Sequence, residues 1–106
     1  MKIGIVIETK EAEKAWNAFR FGIASLKAGH QVNIFLMGEA VELEEVRDPK
    51  FNVLEQMELF DGNGGEILAC GTCLKLRRKE GSELCPFSTM NDLVKLVEES
   101  DRVLVF

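Results

Sequence analysis

The amino-acid sequence predicts a three-layer α/β/α sandwich with a mainly parallel sheet of about five strands. The first observation is that short apolar runs alternate along the chain with longer segments whose apolar residues follow helical spacing. The second is that the first apolar run, Lys2–Ile7, is continuous and β-branched, which is typical of a strand covered on both faces. We therefore expect helices on both sides of the sheet.

A single domain over residues 1–106 accounts for the whole chain, because 106 residues can enclose one hydrophobic core but not two. The hydrophobic fraction of 46% and the charged fraction of 29% are typical of a globular domain. The net charge is -5, and the basic residues form no long run. These values argue against nucleic acid or a membrane surface as the main partner.

The first strand, Lys2–Ile7, is followed by a helix and a second strand. Apolar residues between Ala12 and Leu26 recur at three- and four-residue spacing, which predicts an amphipathic helix. Gly29 comes just after this segment, where a glycine commonly ends a helix. Val32–Met37 is the predicted second strand.

The middle of the chain contains two further helical patterns. The weaker one covers Gly38–Val46 and breaks near Asp48-Pro49, because a residue before proline avoids the helical conformation. The second is an apolar stripe over Val53–Phe60, ended by the turn-forming segment Asp61–Gly65. Glu66–Ala69 follows as the third strand.

The last third of the chain repeats the alternation. A helix is expected from the third strand to about Lys79, and Glu83–Cys85 is expected to be a short fourth strand. Thr89 is a suitable N-cap for the last helix, with Asp92 three residues further on. Arg102–Phe106 is the predicted closing strand.

Ligands of open parallel sheets bind beyond the carboxyl ends of the strands. We therefore expect a small binding pocket at that edge, with Cys70 and Cys85 both near it. The predicted pocket residues are Glu8, Thr9, Met37, Gly38, Gly71, Thr72 and Cys85.

Cys70 occupies the most informative position, the junction between the third strand and the following helix. The unpaired N–H groups and the positive dipole end of a helix favour a thiolate over a thiol. Thiolate is the form of cysteine that attacks sulfur and binds metals. We therefore expect Cys70 to be ionised and accessible, with Cys73 as a second catalytic candidate that could resolve a product on Cys70.

Four interpretations of the three cysteines remain open. Buried free cysteines are often small apolar fillers, which is the favoured interpretation of Cys85 alone. Cys-x-x-Cys is common zinc spacing, but a closed site needs four ligands and no second such pair exists. The pair also resembles a dithiol oxidoreductase motif, although it comes late in the chain. In the fourth interpretation, Cys70 carries sulfane sulfur as a persulfide, which needs no general base.

The compartment is expected to be the cytoplasm. The N-terminal apolar run is short and is followed directly by Glu8 and Lys10, unlike a signal peptide. No stretch is long enough to span a bilayer. Three cysteines, two of them close together, argue against a disulfide framework, so the thiols should stay reduced.

The order of elements, the segment Phe35–Val41 and the junction Leu68–Gly71 resemble the DsrE/DsrF-like family over essentially the whole chain. The resemblance implies a small α/β fold that assembles as a homo-oligomer, commonly a trimer or hexamer. It implies sulfur relay to a partner sulfur-carrier protein without a cofactor. The active cysteine of the family maps onto Cys70.

A rival hypothesis is a non-enzymatic module of the same fold. It would bind a small molecule at the strand ends or dock a partner through its helices, and its cysteines would be incidental. Whether the chain is an enzyme is left open by the residues. Thiol reactivity discriminates the two hypotheses, because only sulfur transfer requires a reactive Cys70.

Overall fold

The computed structural model describes residues 1–106, and its centre is a five-stranded sheet in which every neighbouring pair of strands is parallel. The strands are β1 (Lys2–Ile7), β2 (Gln31–Leu36), β3 (Glu66–Cys70), β4 (Phe87–Ser88) and β5 (Arg102–Val105). Their order across the sheet is β4-β3-β2-β1-β5. The predicted α/β fold with a five-stranded parallel sheet is therefore confirmed.

Four α-helices and one 3-10 helix connect the strands. The helices are α1 (Ala12–Lys27), α2 (Val53–Gly62), α3 (Gly71–Leu76) and α4 (Met90–Glu99), and the 3-10 helix is Gly38–Glu45. The chain moves along the sheet in one direction from β1 to β4 and then returns to place β5 beside β1. Because parallel crossovers are right-handed, this reversal puts α4 on the face opposite to α1 and α2. None of the helices is long and apolar enough to cross a membrane.

The face covered by α1 and α2 holds the larger core. Ile5, Ile34 and Ile67 are direct neighbours across three strands, and all three are buried in one cluster. Phe19 of α1 and Phe60 of α2 join the same cluster, and their rings meet edge to face at 5.8 Å. Side chains alternate between the two faces of the sheet along each strand. The residues directly before and after each of these isoleucines therefore point to the opposite face, towards α4.

The face covered by α4 holds a smaller cluster of Phe35, Cys70 and Leu96. The helix lies very close to β1: a Cβ atom at Gly4 would be 2.5 Å from Leu96 Cδ2. Glycine at position 4 therefore permits the close approach that lets α4 cover this side of the sheet.

Two helix ends follow the sequence closely. After α1, Gly29 adopts φ +92, and the N–H groups of Gly29 and His30 donate to the carbonyls of Leu26 and Ser25, as in a Schellman motif. At the start of α4, Thr89 and Asp92 form the reciprocal side-chain and backbone bonds of a capping box. The predicted helix end and the predicted N-cap are both confirmed.

The segment between β3 and α4 departs from the prediction. The third helix ends at Leu76 rather than near Lys79, because Arg78 adopts the left-handed conformation with φ 54. The expected strand over Glu83–Cys85 is wrong. Residues 82–85 instead form a turn closed by a hydrogen bond from Ser82 N to Cys85 O, and the fourth strand follows at Phe87–Ser88.

Candidate functional site

The candidate site lies at the edge of the sheet where the carboxyl ends of β1, β2 and β3 meet. Met37 N donates to Ile7 O at 3.0 Å, which joins the ends of β1 and β2. Leu36 is the direct neighbour of Ala69 across β2 and β3. The residues that follow, Gly38 and Cys70, are therefore held at the same edge of the sheet by backbone pairing.

Gly38 turns the chain from β2 into the 3-10 helix. It adopts φ +59, a conformation that side-chain-bearing residues rarely adopt. In this conformation its backbone N–H donates a hydrogen bond to Cys73 Sγ at 3.2 Å. A backbone donor aimed at sulfur stabilises the anionic form of that sulfur.

Cys70 is the last residue of β3, and its side chain faces α4. Cys70 pairs directly with Ser88 of β4. It is 1% exposed, and it packs with Phe35 and Leu96. Burial raises the pKa of the Cys70 thiol, and the nearby Cys73 side chain raises it further, whereas the backbone N–H groups of Cys73 and Thr72 lower it. The expectation of an ionised, accessible Cys70 is therefore wrong for this conformation, because β3 continues one residue further than predicted.

Cys73 lies one helical turn beyond Cys70, at the edge of the same cluster. It is half-buried, and it packs against the cluster of Phe35, Cys70 and Leu96. All three cysteines are free thiols. The structure thus pairs an inner thiol, Cys70, with an outer thiol, Cys73.

The other predicted pocket residues fall into two groups. Met37 packs against the Cys70 cluster, and Gly71 is buried beneath the ring of Phe87. Glu8 and Thr72 are exposed, whereas Thr9 is half-buried and its hydroxyl accepts a hydrogen bond from Glu11 N at 3.0 Å. The geometry therefore brings Met37 and Gly38 to the cysteine pair, and the backbone N–H of Thr72 acts on Cys70 although the Thr72 side chain is exposed.

Cys85 does not share the site. It is buried in the larger core cluster, whereas Cys70 belongs to the smaller cluster on the other face of the sheet. Burial raises the pKa of the Cys85 thiol strongly, and the neighbouring Glu44 carboxylate adds to the effect. The expectation that Cys70 and Cys85 lie near one rim is wrong, because residues 82–85 form a turn rather than a strand of the sheet.

Two contacts of the site were missed by the sequence analysis. Phe35 lies beside Cys70, and the alternation of side chains along β2 could have indicated this, because Phe35 shares its face with Met37. Arg77 anchors the end of α3: its guanidinium donates to Glu42 Oε2 and to Cys73 O, both at 3.1 Å. The hydrogen bond from Arg77 lowers the pKa of Glu42. No local pattern predicts that pairing.

The principal surface cavities lie away from the cysteine pair. One of about 590 Å³ is lined by acidic side chains that include Glu44, Glu58 and Asp61. Another of about 300 Å³ lies at the opposite ends of the strands, between Lys2, Asn33 and Glu66. No group of three or more His, Cys, Asp or Glu side chains is arranged to hold a metal ion.

The topological switch point of the sheet lies between β1 and β5, where Glu8 N donates to Phe106 O at 2.9 Å. The cysteine pair lies at the end of β3, with β2 between it and β1. The candidate site is therefore not a crevice at the switch point. It is a pair of thiols at the end of one strand.

Comparisons with known proteins agree with this architecture. The chain is 40% identical over 103 residues to an uncharacterized protein of Methanopyrus kandleri, with 89% of this chain and 83% of that protein covered. It is 33% identical over 100 residues to an uncharacterized protein of Methanocaldococcus jannaschii, with 89% and 88% covered. The crystal structure of the ychN protein from E. coli has the same fold, with a TM-score of 0.84 at 24% identity, and the match covers 100% of this chain and 99% of that one.

The family comparison covers every residue of the chain. A model of the DsrE/DsrF-like family matches residues 1–106, which include Cys70, Cys73 and the turn at Gly38. This chain belongs to the DsrE/DsrF-like family.

Proposed function

We propose that this chain is a sulfur-handling protein that carries sulfane sulfur as a persulfide on Cys70 and passes it to a partner thiol. The observation that carries the proposal is the presence of two free thiols, Cys70 and Cys73, at the end of β3, where Cys73 accepts a hydrogen bond from the backbone N–H of Gly38. Membership of the DsrE/DsrF-like family supports the same chemistry. A reducing compartment such as the cytoplasm suits it, because both thiols must stay reduced.

The transfer needs no cofactor. In the loading step the Cys70 sulfur attacks the outer sulfur of a persulfide, the S–S bond of that persulfide breaks, and its inner sulfur is released as a thiol. A partner thiolate then attacks the outer sulfur of the Cys70 persulfide and releases Cys70. The partner thiolate attacks an atom that lies about 2 Å beyond Sγ, the length of the S–S bond.

Burial of Cys70 supports a storage role. Cys70 is 1% exposed and packs with Phe35 and Leu96. We therefore expect a persulfide held there to react slowly with small reductants between loading and delivery. The backbone N–H groups of Thr72 and Cys73, which favour the charged form of Cys70, are available to stabilise a persulfide anion.

The test is intact-mass spectrometry of protein exposed to a persulfide donor under anaerobic conditions. We expect a mass increment of one sulfur atom on the wild-type chain and on Cys85→Ser, and no stable increment on Cys70→Ser. Cys85→Ser is the matched control because Cys85 lies in the other core cluster. Equal, stable labelling of Cys70→Ser and wild type would exclude Cys70 as the storage residue.

A second candidate function is assembly through α4 and β5, alone or together with sulfur transfer. Four apolar side chains there are unusually exposed: Met90 48%, Val94 54%, Val97 48% and Val105 65%. Exposed apolar patches of this kind mark interaction surfaces. We propose that this surface joins copies of the chain in a homo-oligomer, a trimer or hexamer.

The mass of the protein in solution tests the assembly. We expect light scattering to give a multiple of the 11.9 kDa chain, and Val94→Lys to shift the mass towards the monomer. Lys95→Glu, an exposed change beside it on the same helix, is the control and should leave the mass unchanged. A monomeric wild-type protein would exclude the assembly.

A further inference from the structure

We infer that Cys73 is the thiol that first receives sulfur from the donor, and that it passes the sulfur inward to Cys70. The inference rests on the proposed function, since it assigns an order to the two thiols of that site. In this order the second cysteine of the Cys-x-x-Cys pair, Cys73, is the outer thiol that reacts with the donor, and the first, Cys70, is the inner thiol that stores the sulfur.

The first argument is access. Cys70 is 1% exposed beneath Leu96 and Phe35, whereas Cys73 is half-buried at the edge of the same cluster. A donor persulfide attached to a molecule of any size must bring its outer sulfur into contact with the attacking atom. In this conformation Cys73 is the sulfur that such a donor meets first.

The second argument is the hydrogen bond from Gly38 N to Cys73 Sγ at 3.2 Å. This backbone donor is aimed at the sulfur that the donor persulfide meets first, and a hydrogen bond of this kind becomes stronger when its acceptor carries negative charge. The donor is a backbone group held by the turn at Gly38, whose own φ is +59. It therefore needs no side-chain rearrangement before reaction.

The third argument is the proximity of the two sulfurs. Ionisation of Cys70 is opposed by the adjacent Cys73 side chain, so the two thiols are close enough to interact directly. Cys73 also packs against the cluster that contains Cys70, so sulfur carried on Cys73 lies within reach of the Cys70 side chain.

The two steps balance without an oxidant or a reductant. First, the Cys73 thiolate attacks the outer sulfur of a donor persulfide R–S–SH. A new S–S bond forms at Cys73, the S–S bond of the donor breaks, and RS⁻ leaves and takes a proton from water. Second, the Cys70 sulfur attacks the outer sulfur on Cys73. The S–S bond at Cys73 breaks, and the proton of the Cys70 thiol neutralises the Cys73 thiolate.

Attack of Cys70 at the inner sulfur is the competing reaction. It would form a Cys70–Cys73 disulfide and release hydrogen sulfide, so the chain would discharge sulfur rather than store it. Both products are observable, so the experiment separates transfer from discharge.

The experiment uses the full chain with glutathione persulfide as the probe. Samples are quenched with excess iodoacetamide at successive times and analysed by mass spectrometry. Cys70 and Cys73 share the tryptic peptide 51–75, so fragment ions must separate them, whereas Cys85 lies in the peptide 80–95. The variants are Cys70→Ser, Cys73→Ser and, as the matched control, Cys85→Ser.

In the wild type and in Cys85→Ser we expect sulfur on Cys73 first and on Cys70 later. In Cys73→Ser the loading rate of Cys70 should fall at least about tenfold. In Cys70→Ser the initial loading of Cys73 should match the wild type, but the sulfur should then be lost rapidly to added thiol.

Three outcomes contradict the proposals in distinguishable ways. Loading of Cys70 at the wild-type rate in Cys73→Ser overturns the order of the thiols and leaves the proposed function standing. A disulfide with released sulfide as the main product overturns the inward transfer. No sulfur increment on any variant overturns the proposed function itself.

A second measurement does not depend on the donor. The double variants Cys70→Ser/Cys85→Ser and Cys73→Ser/Cys85→Ser each leave one thiol of the pair. Near neutral pH, iodoacetamide should alkylate Cys73 at least about tenfold faster than Cys70, provided that both variants retain the wild-type circular dichroism spectrum. Equal rates, or a faster Cys70, would overturn the inference.

Discussion

The backbone N–H of Gly38 donates to Cys73 Sγ at 3.2 Å, across segments that are 35 residues apart in the chain. The bond links the turn after β2 to the first turn of α3. It exists because β2 and β3 are adjacent parallel strands whose carboxyl ends meet at one edge. A thiol one turn from the strand end thus acquires a donor that Cys70, inside the sheet, does not share.

Leu96 is predicted to control access to Cys70. Leu96→Ala removes apolar atoms from the small cluster that covers the thiol, and we expect it to lower the free energy of unfolding by about 2 to 5 kcal/mol. The iodoacetamide rate of Cys70, measured in a Cys73→Ser background, should rise. Leu59→Ala is the control, because Leu59 is 47% exposed on α2. An unchanged Cys70 rate in a folded Leu96→Ala variant would show that Leu96 does not shield it.

Arg78 is predicted to be a strained position. Its φ of 54 places a side-chain-bearing residue in the left-handed region after α3, where glycine is preferred. Arg78→Gly should therefore raise the free energy of unfolding by about 1 kcal/mol in urea titration. Arg78→Ala separates loss of the side chain from relief of the backbone and should not stabilise the chain. Equal stability of the two variants would contradict the explanation.

Gly4 is predicted to be required for the contact between β1 and α4. Gly4→Ala places a Cβ atom 2.5 Å from Leu96 Cδ2 and 2.7 Å from Ser100 Oγ, so these side chains or the helix that carries them must shift. We expect a loss of about 1 to 3 kcal/mol in the free energy of unfolding. Gly62→Ala at the end of α2 is the matched control, because a Cβ there meets no atom within 4 Å. A Gly4→Ala variant as stable as Gly62→Ala would rule out the close contact.

Cys85 is predicted to make stability fall at alkaline pH. Burial and Glu44 raise its pKa in the folded chain above the ordinary value of 9.0. The folded state therefore keeps the thiol proton when the unfolded state loses it. This contribution is fully present below about pH 9 and is lost as the pH rises further, with a limiting slope of about 1.4 kcal/mol per pH unit.

The comparison that checks this prediction is wild type against Cys85→Ala, by urea unfolding under reducing conditions from about pH 8 to about pH 11. The variant should lose stability less steeply above about pH 9, whereas below that pH the difference between the two proteins should be constant. Parallel curves over the whole range would show that Cys85 is not the group responsible.

Helix ends of this chain were predictable when the signal was local. Gly29 ends α1 because it adopts a positive φ that glycine reaches without strain. Thr89 caps α4 because its hydroxyl and the Asp92 carboxylate lie three residues apart, within reach of each other's backbone. Arg78 ends α3 by the same left-handed conformation. Arginine is not a residue type that indicates this conformation, so the predicted helix is too long.

The site was predictable in composition but not in arrangement. The Cys70–Cys73 pair and Gly38 stand out from spacing and from their positions after strands. The accessibility of Cys70 was not predictable, because it depends on Ser88 of β4 extending the sheet by one residue and on Leu96 of α4 covering the thiol. Both partners come from later in the chain.

The sequence alone determined the alternation of strands and helices, the parallel sheet and the position of the cysteine pair, because each depends on side-chain periodicity within a few residues. The tertiary structure decided the strand order, which thiol is buried, and which thiol receives the Gly38 hydrogen bond. Those properties depend on contacts between residues far apart in the chain, and no local pattern carries them.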